Sequence, residues 1–129
     1  MARILVVDDD EQIRIMLEIV LSRDSHEVVT AENGAVASAR QSQRPADVVI
    51  MDIIMPEKEG FETIIEFRRD YPETKIIAIS GGGRLGSDQY LKLARTMVAH
   101  FIFEKPLSIM QLREAVDRLV APDPAFEKG

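Results

Sequence analysis

Short apolar runs alternate along the chain with longer segments in which apolar residues recur every three or four positions. Five of the runs have strand length, and most consist of aliphatic residues without a regular alternation of polar and apolar positions. Runs of this kind are typical of strands buried on both faces of a sheet. The predicted strands are Ile4–Val7, Glu27–Ala31, Val48–Met51, Ile76–Ile79 and Phe101–Phe103.

The segments between the strands have the spacing of amphipathic helices. The first helix has apolar residues at positions i, i+3, i+4, i+7 and i+8, namely Ile13, Met16, Leu17, Val20 and Leu21. Asn33 is predicted to cap the second helix, which ends before Pro45, and the third helix ends before Pro72. A fourth helix is predicted at about residues 87–97, and a fifth has an apolar stripe from Ile109 to Leu119.

Five strand–helix repeats predict an α/β fold, with a parallel sheet covered by helices on both faces. For five such units, the flavodoxin-like doubly wound order 2-1-3-4-5 is a common solution. The chain has 129 residues, of which 46% are hydrophobic, enough for one core. We expect one domain over residues 1–121 and a short C-terminal tail over residues 122–129, with no output domain.

Composition and charge argue against several classes of partner and of site. The net charge is −6 and there is no cysteine, which argues against non-specific nucleic-acid binding and excludes disulfides and thiolate metal sites. The first apolar run stops after four residues, too short for a signal peptide or a membrane span. We expect a cytoplasmic protein that contacts neither nucleic acid nor membrane directly.

Polar residues follow the ends of four predicted strands. Ligands of doubly wound folds bind beyond the carboxyl ends of the strands, where the strand order reverses, which here is between strands 1 and 3. Strand 1 is followed by Asp8, Asp9 and Asp10, and strand 3 by Asp52. Ser80 follows strand 4, and Lys105 lies just after strand 5. We expect one edge of the sheet to gather carboxylates, a hydroxyl and an ammonium group.

Each of these residue types has a function in phosphoryl transfer. Clustered carboxylates repel one another unless a proton or a cation lies between them, and Mg²⁺ binds through one or two carboxylates together with phosphate oxygens. An aspartate can act as a nucleophile toward phosphorus, and a lysine supplies a point charge. A serine hydroxyl could donate a hydrogen bond to a phosphoryl oxygen. The pattern therefore points to phosphorylation of an aspartate.

Over residues 2–120 the chain resembles a response regulator receiver domain of two-component signalling. The matching stretches are Ile4–Asp10, Glu32–Gly34, Val48–Pro56 with Gly60, Ile79–Gly81 and Glu104–Leu107. Four such pieces in order at the strand ends make the match specific. The resemblance implies a single-domain switch, similar to the chemotaxis regulators.

The resemblance also implies a role for each site residue. Asp52 would be the phosphoacceptor, and Asp8 and Asp9 would form the acidic pair, with Asp9 the more direct ligand of Mg²⁺. The carbonyl of Ile54 would be a further metal ligand. Ser80 matches the hydroxyl position, and Lys105 matches the lysine that contacts the phosphoryl group.

Partners follow from the same resemblance. The phosphoryl donor would be a sensor histidine kinase or a phosphotransfer protein, and the phosphorylated form would act on a downstream protein that the sequence does not identify. We expect a monomer or a weak dimer. The protein would not be an enzyme beyond self-phosphorylation and slow autodephosphorylation.

The chain departs from the family pattern near its fifth strand. The segment between Ser80 and Lys105 is longer than usual, and Ile102 stands where the family has a switch aromatic. Alternation along a strand places Phe101 and Phe103 on the face opposite Ile102. We therefore predict that no aromatic side chain acts as the switch at this position.

Two other functions fit parts of the sequence. The first is dinucleotide binding, since Gly81–Gly86 matches G-x-G-x-x-G between a predicted strand and a predicted helix. That interpretation leaves the carboxylates and Lys105 without a function. The second is an aspartate-dependent phosphatase that begins with Asp8 and Asp10. Taken alone, Asp10 also fits a helix cap.

The methionines are expected to fill the core rather than to bind a ligand. Examples are Met16, Met51 and Met110.

Overall fold

Five parallel strands form a single sheet in the order β2-β1-β3-β4-β5, as predicted. The structure is a computed structural model, and it describes residues 2–53, 60–80 and 99–120. The strands are Arg3–Val7 (β1), Glu27–Ala31 (β2), Val48–Asp52 (β3), Lys75–Ser80 (β4) and Phe101–Glu104 (β5). The helices in the described part of the chain are Glu11–Arg23 (α1), Gly34–Gln43 (α2), Gly60–Asp70 (α3) and Ile109–Val120 (α4).

Several predictions concern residues outside the described ranges. They are the carbonyl of Ile54, the glycine loop Gly81–Gly86, the helix at about residues 87–97 and the tail at residues 122–129. The side chain of Ser80 is also outside what is described, although its backbone ends β4. No helix in the described ranges is long and apolar enough to cross a membrane.

The two faces of the sheet carry separate parts of the core. Ile4 and Val6 pack on one face with residues of α1 and α4, whereas Leu5 and Val7 pack on the other with residues of α2 and α3. All four of these β1 side chains are buried. The continuous apolar runs therefore form strands covered on both sides, which is why they lack a polar face.

The alternation predicted for β5 is confirmed. Ile102 packs with the core cluster of α2 and α3, whereas Phe101 and Phe103 pack with the cluster of α1 and α4. The two phenylalanine rings stack with their centroids 6.4 Å apart. Neither ring can reach the side of the sheet on which Ile102 lies unless the strand register changes.

Side-chain caps fix where the first two helices begin. The carboxylate of Asp10 accepts a hydrogen bond of 2.9 Å from the backbone N–H of Gln12 at the start of α1. The amide oxygen of Asn33 accepts one of 2.9 Å from Val36 at the start of α2, which confirms the predicted cap. Each cap satisfies a backbone donor that the helix itself leaves unpaired.

The prediction for the methionines is wrong for Met110. Met51 is fully buried in β3 and Met16 packs at the edge of the core, but Met110 is 72% exposed on α4. The buried stripe of α4 runs through Leu112, Ala115 and Val116. Met110 lies off that stripe, so helical position outweighs its apolar character.

A buried polar network joins four elements at the amino ends of β3 and β4. Gln41, 0% exposed in α2, donates to the hydroxyl of Thr74 at 3.0 Å and accepts from the backbone N–H of Ala46 at 2.9 Å. The Thr74 hydroxyl donates to the carbonyl of Ala46 at 2.8 Å. From the end of α3, Arg68 donates to the Thr74 carbonyl at 3.4 Å.

We expect Gln41→Leu to lower the free energy of unfolding by about 1–3 kcal/mol, because it leaves the buried N–H of Ala46 without an acceptor. The matched control is Gln43→Leu, since Gln43 lies in the same helix but is exposed. Urea unfolding followed by circular dichroism measures both variants. Equal destabilisation by the two substitutions would contradict a structural role for the network.

Candidate functional site

The strand register places two buried aspartates side by side at the carboxyl edge of the sheet. Val7 of β1 pairs with Met51 of β3, so the next residue on each strand, Asp8 and Asp52, lie next to each other. Asp8 is 1% exposed and Asp52 is 2% exposed. Parallel neighbouring strands that end in acids therefore bring two carboxylates together, as the sequence predicted.

Lys105 reaches this pair from the far side of β4. Its Nζ lies 3.1 Å from Oδ2 of Asp52 and 3.1 Å from Oδ2 of Asp8. It donates hydrogen bonds to Asp52 Oδ2 at 3.1 Å and to Asp8 Oδ1 at 3.4 Å. Burial by itself would lower the pKa of the ammonium, but the two carboxylates outweigh burial and raise that pKa above its usual value. Lys105 therefore stays charged and bridges the acids.

The pKa of Asp8 is shifted far from its ordinary value. Burial raises the pKa of its carboxyl to about 6, and the charge of Asp52 adds to the rise. A hydrogen bond from the backbone N–H of Asp10 and the ammonium of Lys105 act in the opposite direction. Since burial outweighs them, ionised Asp8 is costly to the fold.

Asp9 completes a set of three carboxylates. One ligand oxygen from each of Asp8, Asp9 and Asp52 lies within 4.8 Å of the others, and Asp9 is exposed where the other two are buried. Nζ of Lys105 approaches Asp8 Oδ2 as an ion pair, yet this buried oxygen accepts no hydrogen bond from the residues that the structure describes. Hard oxygen donors with one unsatisfied buried atom suit a divalent cation such as Mg²⁺.

Of the other predicted site residues, the structure describes the backbone of Ser80 but not its side chain. Ser80 ends β4 and pairs with Glu104, while Ile79 pairs with Asp52, so the backbone of Ser80 lies one step beyond Asp52 on the adjacent strand. Ile54 lies outside the described residues. The carboxylate of Asp10 caps α1, as its position before the helix allowed.

Sequence reasoning missed Arg14. Its Nη1 donates a hydrogen bond of 2.7 Å to the backbone carbonyl of Asp8. A basic residue one turn after an acidic strand end was the available signal, but the sequence alone did not show which acceptor the side chain reaches.

Comparison with known proteins finds similar sequences and folds. The family model of the response regulator receiver domain matches residues 4–117. The chain is 32% identical over 117 residues to the chemotaxis protein CheY of Bacillus subtilis, covering 90% of this chain and 95% of that protein. It is 31% identical to the DNA-binding transcriptional regulator NtrC of Azospirillum brasilense, but covers only 24% of that protein.

Among solved structures, the response regulator TrrA of Thermotoga maritima superimposes with a TM-score of 0.81 at 34% identity. The match covers 93% of this chain and 100% of TrrA, which was crystallised in complex with Mg²⁺-BeF. Both the fold and the sequence therefore relate this chain to receiver domains.

We expect Asp8→Asn to raise the free energy of unfolding of the metal-free protein by about 1–3 kcal/mol near neutral pH. Protonated Asp8 stabilises the fold below pH 3.8, and this stabilisation is lost as the pH rises to about 6. The amide does not titrate, so the gain of the variant should shrink as the pH falls from 6 toward 4. Urea unfolding of both proteins in the presence of EDTA, repeated between pH 4 and pH 7, measures this difference in the free energy of unfolding.

Glu18→Gln is the matched control for this experiment, because Glu18 is an exposed acid of α1 away from the site. It should leave stability nearly unchanged across the same pH range. A gain for Asp8→Asn that did not depend on pH would rule out ionisation of Asp8 as its cause.

Proposed function

The chain belongs to the response regulator receiver domain family, and we propose that it is a phosphorylation switch in which Asp52 accepts a phosphoryl group with the help of Mg²⁺. The observation that carries the proposal is the pair of buried carboxylates, Asp8 and Asp52, bridged by the ammonium of Lys105. A buried acid at a strand end with a cation 3.1 Å away has both a nucleophile and a counter-charge in place.

In the proposed reaction, a carboxylate oxygen of Asp52 attacks phosphorus and forms the new oxygen–phosphorus bond. The bond from phosphorus to the donor breaks, and its electron pair stays on the donor, which for a phosphohistidine is a ring nitrogen. Lys105 lies close enough to Asp52 to neutralise an oxygen of the transferred group. Ser80 is proposed to donate a hydrogen bond to another of those oxygens.

Three carboxylates would hold the metal ion. Asp9 and Asp52 are proposed as direct ligands together with the carbonyl of Ile54, and Asp8 as a residue that contacts the ion through water. When bound, Mg²⁺ supplies positive charge for the oxygens of the phosphoryl group. Burial of Asp8 and Asp52 strengthens every charge interaction at this edge, because the dielectric is lower there than in water.

The phosphoryl donor is proposed to be a histidine kinase or a phosphotransfer protein, as suits the family. The phosphorylated protein would then change its binding to a downstream protein, rather than to nucleic acid, since the chain carries a net charge of −6. We place the receiver domain at residues 1–121. Relatives include both a protein of similar length and one about four times longer, so either organisation suits this domain.

The dinucleotide alternative rests on Gly81–Gly86 and on Glu104, the acid 21 positions after Gly83, and it gives Asp8, Asp52 and Lys105 no function. A turnover enzyme is likewise not favoured, because Asp10, the second acid of the phosphatase alternative, caps α1 and is not one of the three clustered carboxylates, Asp8, Asp9 and Asp52. We therefore keep the switch as the function, with self-phosphorylation and slow autodephosphorylation as its only chemistry.

Incubation with acetyl phosphate and Mg²⁺ should add one phosphoryl group per chain, measured by intact-protein mass spectrometry. Asp52→Asn should abolish the addition because it removes the nucleophile, and EDTA should suppress it. Asp47→Asn is the matched control, since Asp47 lies just before the opposite end of β3 and its carboxylate accepts a hydrogen bond from the backbone N–H of Arg3 at the start of β1. Undiminished labelling of Asp52→Asn would refute the assignment.

A further inference from the structure

Arg14 lies in the first turn of α1, directly behind the acidic loop that follows β1. Its guanidinium donates a hydrogen bond of 2.7 Å to the backbone carbonyl of Asp8, and the residue is half-buried. Helix formation does not account for an arginine at this place, since a cation near the start of a helix opposes the helix dipole. Its contact with Asp8 is the more informative feature.

The contact completes the anchoring of Asp8. The backbone N–H of Asp8 donates to the carbonyl of Ala31 at 3.2 Å, and its Oδ1 accepts from the N–H of Asp10 at 2.8 Å. Its carbonyl lies beyond the last ladder pair of β1 and β3, Val7 with Met51. Arg14 supplies the donor for this carbonyl, so Asp8 is held from β2, from its own loop and from α1.

The peptide group that Arg14 holds leads directly into Asp9. Because a peptide group is planar, the carbonyl oxygen of Asp8 and the nitrogen of Asp9 keep one orientation together. The carboxylate of Asp9 is exposed and, with respect to the described residues, makes no hydrogen bond or ion pair of its own. The backbone therefore sets where this side chain leaves the main chain, and with it the positions that its rotamers can reach.

From this geometry we infer that Arg14 is a positioning residue for the acidic site: by holding the carbonyl of Asp8, it fixes the direction in which Asp9 is presented to a divalent cation. The inference rests on the proposed function of the site, in which Asp9 binds Mg²⁺. Arg14 acts through the backbone and does not touch the reacting atoms.

A purely electrostatic role for Arg14 would have the opposite consequence. A positive charge near the site repels a divalent cation, so removing the charge of Arg14 would make the site more attractive to Mg²⁺. Loss of positioning makes binding weaker, because residues that orient metal ligands from behind commonly contribute tenfold or more to metal affinity. The direction of the change separates the two roles.

The chain offers a matched control in α2. Arg40 reaches back from its helix to the preceding strand in the same way, and its Nε donates to the carbonyl of Thr30 in β2 at 2.8 Å. That carbonyl has no acid of the site beside it in the chain. Arg40→Met therefore removes a comparable arginine–carbonyl bond without touching the loop of Asp8 and Asp9.

The test measures the Mg²⁺ dissociation constant of the parent, Arg14→Met and Arg40→Met by following amide chemical shifts as MgCl₂ is added. We expect Arg14→Met to weaken Mg²⁺ binding about tenfold and Arg40→Met to leave it at the parent value. With acetyl phosphate, the rate for Arg14→Met should recover toward the parent rate as Mg²⁺ approaches saturation, since Asp52 and Lys105 are intact.

Unchanged or tighter Mg²⁺ binding by Arg14→Met would overturn the inference, and so would equal weakening by both variants. If Arg14→Met does not fold, Arg14→Ala takes its place, since alanine also removes the donor and favours the helix, and a Mg²⁺ affinity equal to that of the parent would overturn the inference. Failure of the parent to accept a phosphoryl group would refute the proposed function instead, because the Mg²⁺ titration does not depend on phosphorylation.

Discussion

Two carboxylates that repel each other, those of Asp8 and Asp52, are buried next to each other, and the ammonium of Lys105 lies 3.1 Å from both. Burial makes the charges expensive: the pKa of Asp8 rises to about 6 despite the nearby lysine and a backbone donor. The single ammonium leaves an excess of negative charge when all three acids of the cluster are ionised. An added divalent cation would relieve that excess, so the strain of the metal-free site and its affinity for a cation have one origin.

The sheet is what holds these charges in place. β1 and β3 are neighbours in parallel register and are buried on both faces, so neither strand can slide to separate its terminal aspartate from the other without exposing apolar side chains. The cost of the acids is thus offset by the burial of Ile4, Val6, Val49 and Met51 in the same strands.

Side-chain hydrogen bonds hold α1, the helix that follows the acidic loop, at both of its ends. At its start, Asp10 caps the helix and Arg14 holds the carbonyl of Asp8. At its end, the Asp24 carboxylate accepts two hydrogen bonds, of 2.8 and 2.6 Å, from the guanidinium of Arg113 in α4. Lys105 lies between β5 and α4. The segments that supply the acids and the ammonium are therefore also connected through α1 and α4, which cover the same face of the sheet.

Local patterns were enough to predict the five strands, their order, the cap at Asn33 and the acids at the strand ends, because hydrophobic runs and turn residues act on near neighbours in the chain. The sequence by itself thus determined the fold and the candidate acids. Only the tertiary structure decided which atoms meet. The contact of Lys105 with Asp52 joins residues 53 positions apart, the Gln41–Thr74 bond spans 33, and the carbonyl that Arg14 reaches depends on how α1 leaves the sheet. Such contacts depend on the packing of helices against strands, which no local pattern records.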